Sequence, residues 1–342
     1  MRVSVIQQGK FVTQERPCPI PGPGQVLVRN LACGICGSDI HIFNTLLGMG
    51  EAAPDWVLGH EYCSEIIEFG PETKRQLKIG QRVCSIPFIE TEEGQDLVGA
   101  SPTAPGAYSE FMLLSESLLL AVPDSTSTEA AALVEPLAVA IHAVAKATLN
   151  GADSALVMGC GPIGLAIIAV LKLRGVQTII ASDYSPKRRA LATAMGADTV
   201  IDPAEQSAFE PLVSAVGEET ENAVVFECIG AKTLLAQICA EAPARARIVV
   251  AGICGEEDSF NPFIAMQKEL NIQFVFYYQP EEYSEALNVL ADDGINWRPF
   301  ITGKVGLDGV ESAFSSLRDP ENHAKILVNP WLSGDAIEPV SL

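Results

Sequence analysis

A short apolar run, Ala155 to Met158, is followed by Gly159-Cys160-Gly161-Pro162-Ile163-Gly164 and then by a helical apolar stretch, Leu165 to Leu173. A strand, a glycine turn and a helix in that order is a strong constraint. The glycines permit the tight turn, let backbone approach a pyrophosphate and let the helix pack on the strand. The helix N-terminus then presents free N–H groups and partial positive charge to phosphates. The same segment raises a membrane question, because Ser154 to Leu171 carries no charge over 18 residues, near the minimum for a spanning helix. Gly159, Gly161, Pro162 and Gly164 interrupt its middle, which favours strand, turn and helix over a membrane span.

Short apolar runs recur beyond this turn, near 154 to 158, 178 to 182, 198 to 201, 223 to 227, 246 to 251 and 271 to 277, separated by helix-like segments. Six such runs predict an α/β, doubly wound parallel sheet. The second run ends at Asp183, 19 residues past Gly164, where a carboxylate accepts hydrogen bonds from adenosine ribose hydroxyls. The bland reading of Asp183 is a helix cap, but Ser185 followed by Pro186 is the better one. A carboxylate there repels a ribose 2′-phosphate, so NAD is expected over NADP. Lys187, Arg188 and Arg189 complicate this expectation, since one of them could reach such a phosphate. They also read as a solvated helix face, with Arg188 a candidate for the adenine. Residues 151–289 are expected to form the nucleotide-binding domain. Residues 1–150 and 290–342, rich in Pro and Gly clusters and alternating apolar runs, are expected to form a second, mostly β domain closed by Ile326-Leu327-Val328.

The 342 residues hold 22 Lys and Arg against 43 Asp and Glu, a formal charge of −21 with no basic run. That balance repels nucleic acid and anionic membrane surfaces and leaves small molecules as the expected partners. Met1 to Lys10 lacks the pattern of a signal peptide. The nine cysteines are odd in number and scattered. Together these features fit a reducing cytoplasm, with thiols buried or ligating metal.

The first domain carries Cys33-Gly34-Ile35-Cys36-Gly37-Ser38-Asp39-Ile40-His41, then Gly59-His60-Glu61, then Glu135-Pro136. Thiolate, imidazole and carboxylate make a plausible zinc set, and three protein ligands with one open position is a catalytic arrangement. Each piece also has a dull reading: a redox pair for Cys33 and Cys36, a surface loop for His60-Glu61, an outward charge for Glu135.

With these motifs the chain resembles the zinc-dependent medium-chain dehydrogenase/reductase superfamily of alcohol, sorbitol, threonine and butanediol dehydrogenases, nearest the sorbitol dehydrogenase branch. The resemblance covers nearly the whole length and rests on residues 34–39, Gly59-His60-Glu61, Glu135-Pro136-Leu137, the glycine turn and Asp183. It implies a GroES-like β-rich catalytic domain beside a Rossmann domain, with the active site in the cleft between them. The implied activity is hydride transfer between an alcohol and NAD, interconverting alcohol and ketone or aldehyde. Cys36 and His60 resemble fixed zinc ligands, with Glu135 or Glu61 binding directly or through water. Ser38 resembles a proton-relay hydroxyl with His41 next in line, and Asp39 orients the site. Cys228-Ile229-Gly230, Val250-Ala251-Gly252 and Val275-Phe276-Tyr277 are expected to line the nicotinamide, which places Ile229, Ala251 and Phe276 there. Relatives pair their last Rossmann strands edge to edge, so Leu270 to Tyr278 is expected to support a homodimer or homotetramer.

Two departures from the family matter. Between Cys84 and Gly106 there is no cysteine, so one catalytic zinc per subunit and no structural zinc is expected, with Glu90 to Pro105 a mobile acidic loop. Polyol-binding positions of sorbitol dehydrogenases hold Ile42 and Tyr277-Tyr278 here. Ile42 beside Phe43, Leu46 and Leu47 suggests a pocket for an alcohol less polar than a sugar, since an unpaired hydroxyl costs about 1–3 kcal/mol. The rival readings are a zinc-free NADPH-dependent quinone or enoyl reductase of the same superfamily and a non-catalytic nucleotide-binding protein.

Overall fold

The computed structural model describes residues 1–91 and 94–340. They form two units, one of residues 1–135, 283–292 and 301–342, the other of residues 136–282 and 293–300.

The first unit opens with a hairpin of β1 (Arg2–Gln7) and β2 (Lys10–Glu15), followed by β3 (Gln25–Gly34), helix α1 (Gly37–Met49) and β4 (Glu61–Phe69). The strands β5 (Arg82–Ser85), β6 (Phe88–Thr91), β7 (Gly94–Leu97), β8 (Phe111–Ser115) and β9 (Leu119–Ala121) precede helices α2 (Thr128–Ala131) and α3 (Val134–Lys146). Strands β3 and β4 pair antiparallel down to Gly34 opposite Glu61. Val26 and Val28 of β3 are buried with Ile66, Met112 and Leu114, while Arg29 and Leu31 on the other face are only partly buried. The expected loop from Glu90 to Pro105 is instead partly a hairpin: β6 pairs with β7, Thr91 opposite Gly94, and Ser101 Oγ donates to Asp96 at 2.9 Å. Polar side chains flanking the pair make their own hydrogen bonds, Thr91 Oγ1 donating to Gly94 O at 2.9 Å. Glu92 and Glu93 lie outside the described residues.

The second unit holds β10 (Ser154–Met158), α4 (Pro162–Leu173), β11 (Thr178–Ser182), α5 (Pro186–Met195), β12 (Thr199–Ile201), α6 (Phe209–Val216), β13 (Ala223–Glu227), α7 (Leu234–Glu241), β14 (Arg247–Val250), α8 (Pro262–Gln267) and β15 (Asn271–Phe274). All six strands are parallel, in the order β12-β11-β10-β13-β14-β15. Strands β10 and β13 are buried at every residue, as central strands covered on both faces must be. Successive strands are added to one side of β10 and then, from β13, to the other, and the carboxyl ends at such a switch point are where α/β sheets bind ligands.

After α9 (Pro280–Ala291) come β16 (Gly303–Val305), α10 (Val310–Ser316), β17 (Ile326–Val328) and β18 (Glu338–Pro339). Strand β17 lies antiparallel to β3, with Leu327 opposite Gly34. The tail thus extends the first unit's large sheet. No helix among the described residues is long and apolar enough to cross a membrane.

Candidate active site

Strand register builds the first cluster. Because Gly34 faces Glu61 across β3 and β4, the residues just beyond that rung, Cys36 on one side and His60 on the other, are brought together. One ligand atom each from Cys36, His60 and Glu61 lies within 4.8 Å of the others. Among the described residues no other group of three His, Cys, Asp or Glu side chains is close enough to share a metal ion. A Cβ on residue 34 would sit 2.0 Å from Glu61 Oε2, so glycine there makes room for the carboxylate.

Asp39, fully buried in the first turn of α1, faces this cluster. Its Oδ2 accepts from Cys36 N at 2.9 Å and from Tyr108 OH at 2.9 Å, while Oδ1 stands 3.4 Å from His60 Nδ1. Neither Asp39 Oδ1 nor His60 Nδ1 completes a hydrogen bond among the described residues, although both are buried. Burial alone would lower the His60 pKa, but the Asp39 carboxylate and Cys36 sulfur outweigh it and raise the pKa well above the usual histidine value. This surplus of negative donors around an imidazole, with orphaned polar atoms, has the donor chemistry that suits a divalent cation. Ser38 Oγ lies 3.4 Å from His60 Nε2, and His41 is exposed on the same helix.

Burial first, then the charges of Asp39 and Glu61, push the Cys33 thiol well up. A buried protonated thiol is a packing residue, which disfavours the redox-pair reading of Cys33 and Cys36. Glu135 is buried but falls outside the trio. Its charge still reaches the site, adding to the raised pKa values of Lys325 and Tyr62.

Lys325 is absent from any sequence expectation. Its Nζ donates to both Glu61 oxygens, at 2.8 and 2.6 Å, and to Ile35 O at 3.0 Å. A carboxylate has about four lone-pair directions, so Glu61 can accept from Lys325 and still offer an oxygen to an ion.

In the second unit the glycine turn is packed to glycine distance on one side and open on the other. A Cβ on residue 164 would lie 1.8 Å from Gly159 O, so helix and turn pack to glycine distance, whereas residue 161 has open space around its Cβ position. Gly161 caps α4 and Pro162 is its first residue, with Ile163 next. Asp183 Oδ2 accepts from Cys160 N at 2.8 Å and Oδ1 from Ser185 N at 2.9 Å. Ser185 is the cap of α5, its Oγ accepting from Arg188 N at 3.1 Å. Arg189 is committed elsewhere, donating to Asp183 O and Tyr184 O at 2.8 Å and pairing with Asp202 at 3.0 Å. Arg188 lies 3.9 Å from Asp183. Ile229, Ala251 and Phe276 follow β13, β14 and β15 at the carboxyl edge of the sheet, and Phe276 is strongly exposed.

Glu227 also escaped sequence reasoning. Glu227, the buried last residue of β13, accepts from Ile229 N and Gly230 N at 2.7 Å and so shapes the loop beside the turn. The only signal was a carboxylate closing an apolar run. The apolar quartet needs correction as well. Phe43 and Leu46 are core residues, Phe43 stacking on Phe11 at 4.9 Å and meeting Phe314 edge-on, because the helical period of α1 turns them inward. Only Ile42 and Leu47 keep appreciable exposure.

Residues 162–292 match the family described as zinc-binding dehydrogenase, and residues 22–124 match the alcohol dehydrogenase GroES-like domain. The chain is 31% identical over 337 residues to (R,R)-butanediol dehydrogenase of Bacillus subtilis (strain 168), covering 91% of this chain and 94% of that protein. It is 29% identical over 347 residues to sorbitol dehydrogenase of the same organism, covering 96% and 97%. The crystal structure of 2R,3R-butanediol dehydrogenase from Bacillus subtilis superposes with a TM-score of 0.84 at 29% identity, over 96% of this chain and 99% of that one.

Proposed function

On the premise that the chain belongs to the zinc-dependent medium-chain dehydrogenase family, we propose that it interconverts a small alcohol and its ketone or aldehyde with NAD, using one zinc ion per chain. The observation that carries this reading is the convergence of Cys36, His60 and Glu61 within 4.8 Å. The zinc-free reductase and the non-catalytic binding protein have no use for that trio and are not favoured.

Cys36, His60 and Glu61 would hold the ion, with Glu135 as a further carboxylate at the site and Asp39 behind His60. Zinc, when bound, supplies a Lewis acid that polarises the substrate oxygen. NAD, when bound, would supply the hydride chemistry. Ser38 Oγ, 3.4 Å from His60 Nε2, is the relay hydroxyl, and the exposed His41 on the same helix passes the proton to solvent.

In the second unit the turn of Gly159, Gly161, Pro162, Ile163 and Gly164 cradles the pyrophosphate, and Asp183 receives the adenosine ribose. Arg188 faces the adenine, and Ile229, Ala251 and Phe276 border the nicotinamide. Arg189 is tied to Asp202 and Arg188 lies 3.9 Å from Asp183, and the Asp183 carboxylate, held at the turn by Cys160 N, supports NAD over NADP. The substrate is less polar than a sugar polyol, a reading supported by Ile42 and by Tyr277, in place of the arginine of the polyol-binding pair, rather than by Phe43 and Leu46. Edge strand β15, with Phe274 60% exposed, is the surface for pairing with a second copy.

The test is a panel of secondary alcohols, vicinal diols, sorbitol and their carbonyl partners, read by NADH absorbance with and without a chelator. Chelator-sensitive turnover with NAD, and a higher kcat/KM for simple alcohols or diols than for sorbitol, is expected. Turnover indifferent to metal removal would overturn the zinc reading, and preference for sorbitol would overturn the substrate reading.

A further inference from the structure

Tyr108 is fully buried and packs against the residue that leads into His60. Gly59 has φ +103°, and a Cβ there would lie 2.7 and 2.8 Å from the Tyr108 ring. The ring therefore lies directly on the backbone of residue 59. A short backbone ladder locks the two segments: Gly106 N donates to Val57 O, Ala107 N to Gly59 O and Tyr108 N to Leu58 O, at 2.9 to 3.0 Å. On its other side Ser4 N donates to Tyr108 O at 2.8 Å, and Asn30 Nδ2 donates to Ser109 O at 2.8 Å. At the far end of the ring, Tyr108 OH donates to Asp39 Oδ2 at 2.9 Å, which leaves Oδ1 turned toward His60 Nδ1 at 3.4 Å.

One side chain thus contacts both neighbours of His60, the backbone of Gly59 before it and the Asp39 carboxylate facing its ring. We propose that Tyr108 is a positioning residue that sets the ring orientation of His60 for metal binding, acting through Asp39. The inference rests on the zinc reading above.

The physical reason is the behaviour of ligating imidazoles. The ring nitrogen not bound to metal needs an acceptor to fix tautomer and direction, and that acceptor must itself be held. Asp39 Oδ2 has two donors, Cys36 N and Tyr108 OH. The Cys36 N–H arrives from the ligand loop itself. Tyr108 is the donor anchored outside that loop, so it ties the carboxylate to the sheet. Burial first, then the nearby Asp39 charge, push the phenol pKa well above its usual value, so the hydroxyl keeps its proton and remains a donor.

The experiment compares the full-length wild type, Tyr108→Phe, Asp39→Asn and the double variant. Zinc affinity is measured by chelator competition, and the visible absorption of the cobalt(II)-substituted proteins reports ligand geometry. Tyr108→Phe keeps the ring on Gly59 and deletes only the donor. The expected result is a loss of about 10- to 100-fold in zinc affinity, a shifted cobalt spectrum, and no further loss when Tyr108→Phe is added to Asp39→Asn. Wild-type zinc affinity and an unchanged cobalt spectrum in Tyr108→Phe would overturn the proposal, even if its unfolding midpoint fell. An equal loss in both backgrounds would overturn the route through Asp39. A wild type that takes up no zinc sinks the metal reading first, and this outcome is separate from the other two.

Discussion

Lys325 and Glu61 form an ion pair with both side chains only 1% exposed, the ammonium nitrogen lying 2.6 Å from Oε2. It joins the residue leading into β17 to the first residue of β4, and Glu61 is itself one of the proposed metal ligands. Burial would lower the lysine pKa, but Glu61 outweighs that and raises it, so the charge persists at neutral pH.

Removing one partner of such a pair strands the other charge in the interior. Lys325→Met in the metal-free protein is expected to cost about 3–5 kcal/mol. Urea unfolding checks this, and the double variant Lys325→Met with Glu61→Gln is expected to recover most of the loss. A single variant as stable as the wild type would show that Glu61 does not need its partner.

Asp183 sets the cofactor preference. Asp183→Asn keeps the side-chain shape and removes the charge, so NAD binding is expected to weaken by about 10- to 100-fold, the worth of a charge-assisted hydrogen bond. NADP binding should weaken less or improve, because the repulsion of its 2′-phosphate is gone. Fluorescence titration of both cofactors decides the matter, and an unchanged NAD to NADP affinity ratio would contradict the assignment.

Lys304 Nζ lies 2.5 Å from Glu129 Oε1 and ties α2 to β16. Burial opposes ionisation of Glu129, but the Lys304 hydrogen bond wins and the carboxyl pKa is lowered. A depressed folded pKa stabilises the fold above the unfolded value and ceases to do so as pH falls through the folded one. The stability gap between wild type and Glu129→Gln should therefore be open at pH 7 and close in acid. Urea midpoints from pH 7 downward measure it. A gap that stays constant or widens in acid would contradict the pairing.

Much of this architecture was legible because it is encoded locally. The strands Ser154–Met158 and Thr178–Ser182 are uninterrupted apolar runs bounded by turn residues, and Gly161-Pro162 and Ser185-Pro186 announce helix starts in a few residues. Cys36 and His60 were legible because thiolate and imidazole carry chemistry that few other residue types share. Lys325 and Tyr108 were not, since each gains its role from a partner 264 and 69 residues away in sequence. Nothing local distinguishes a buried lysine from the many that are solvated. The roles of Phe43 and Leu46 were misjudged for a related reason: apolar neighbours in sequence separate onto different faces once the segment becomes helix α1.

The central claim is that Cys36 and His60 grip one catalytic zinc ion. Its most direct test is the zinc content of the purified full-length chain by atomic absorption, beside Cys36→Ser and His60→Ala, each assayed for NADH formation with an alcohol. The account predicts one zinc per wild-type chain, with metal and turnover lost together in both variants while the fold, read by circular dichroism, is retained. Full turnover in a metal-free wild type, or in either variant without zinc, would contradict it.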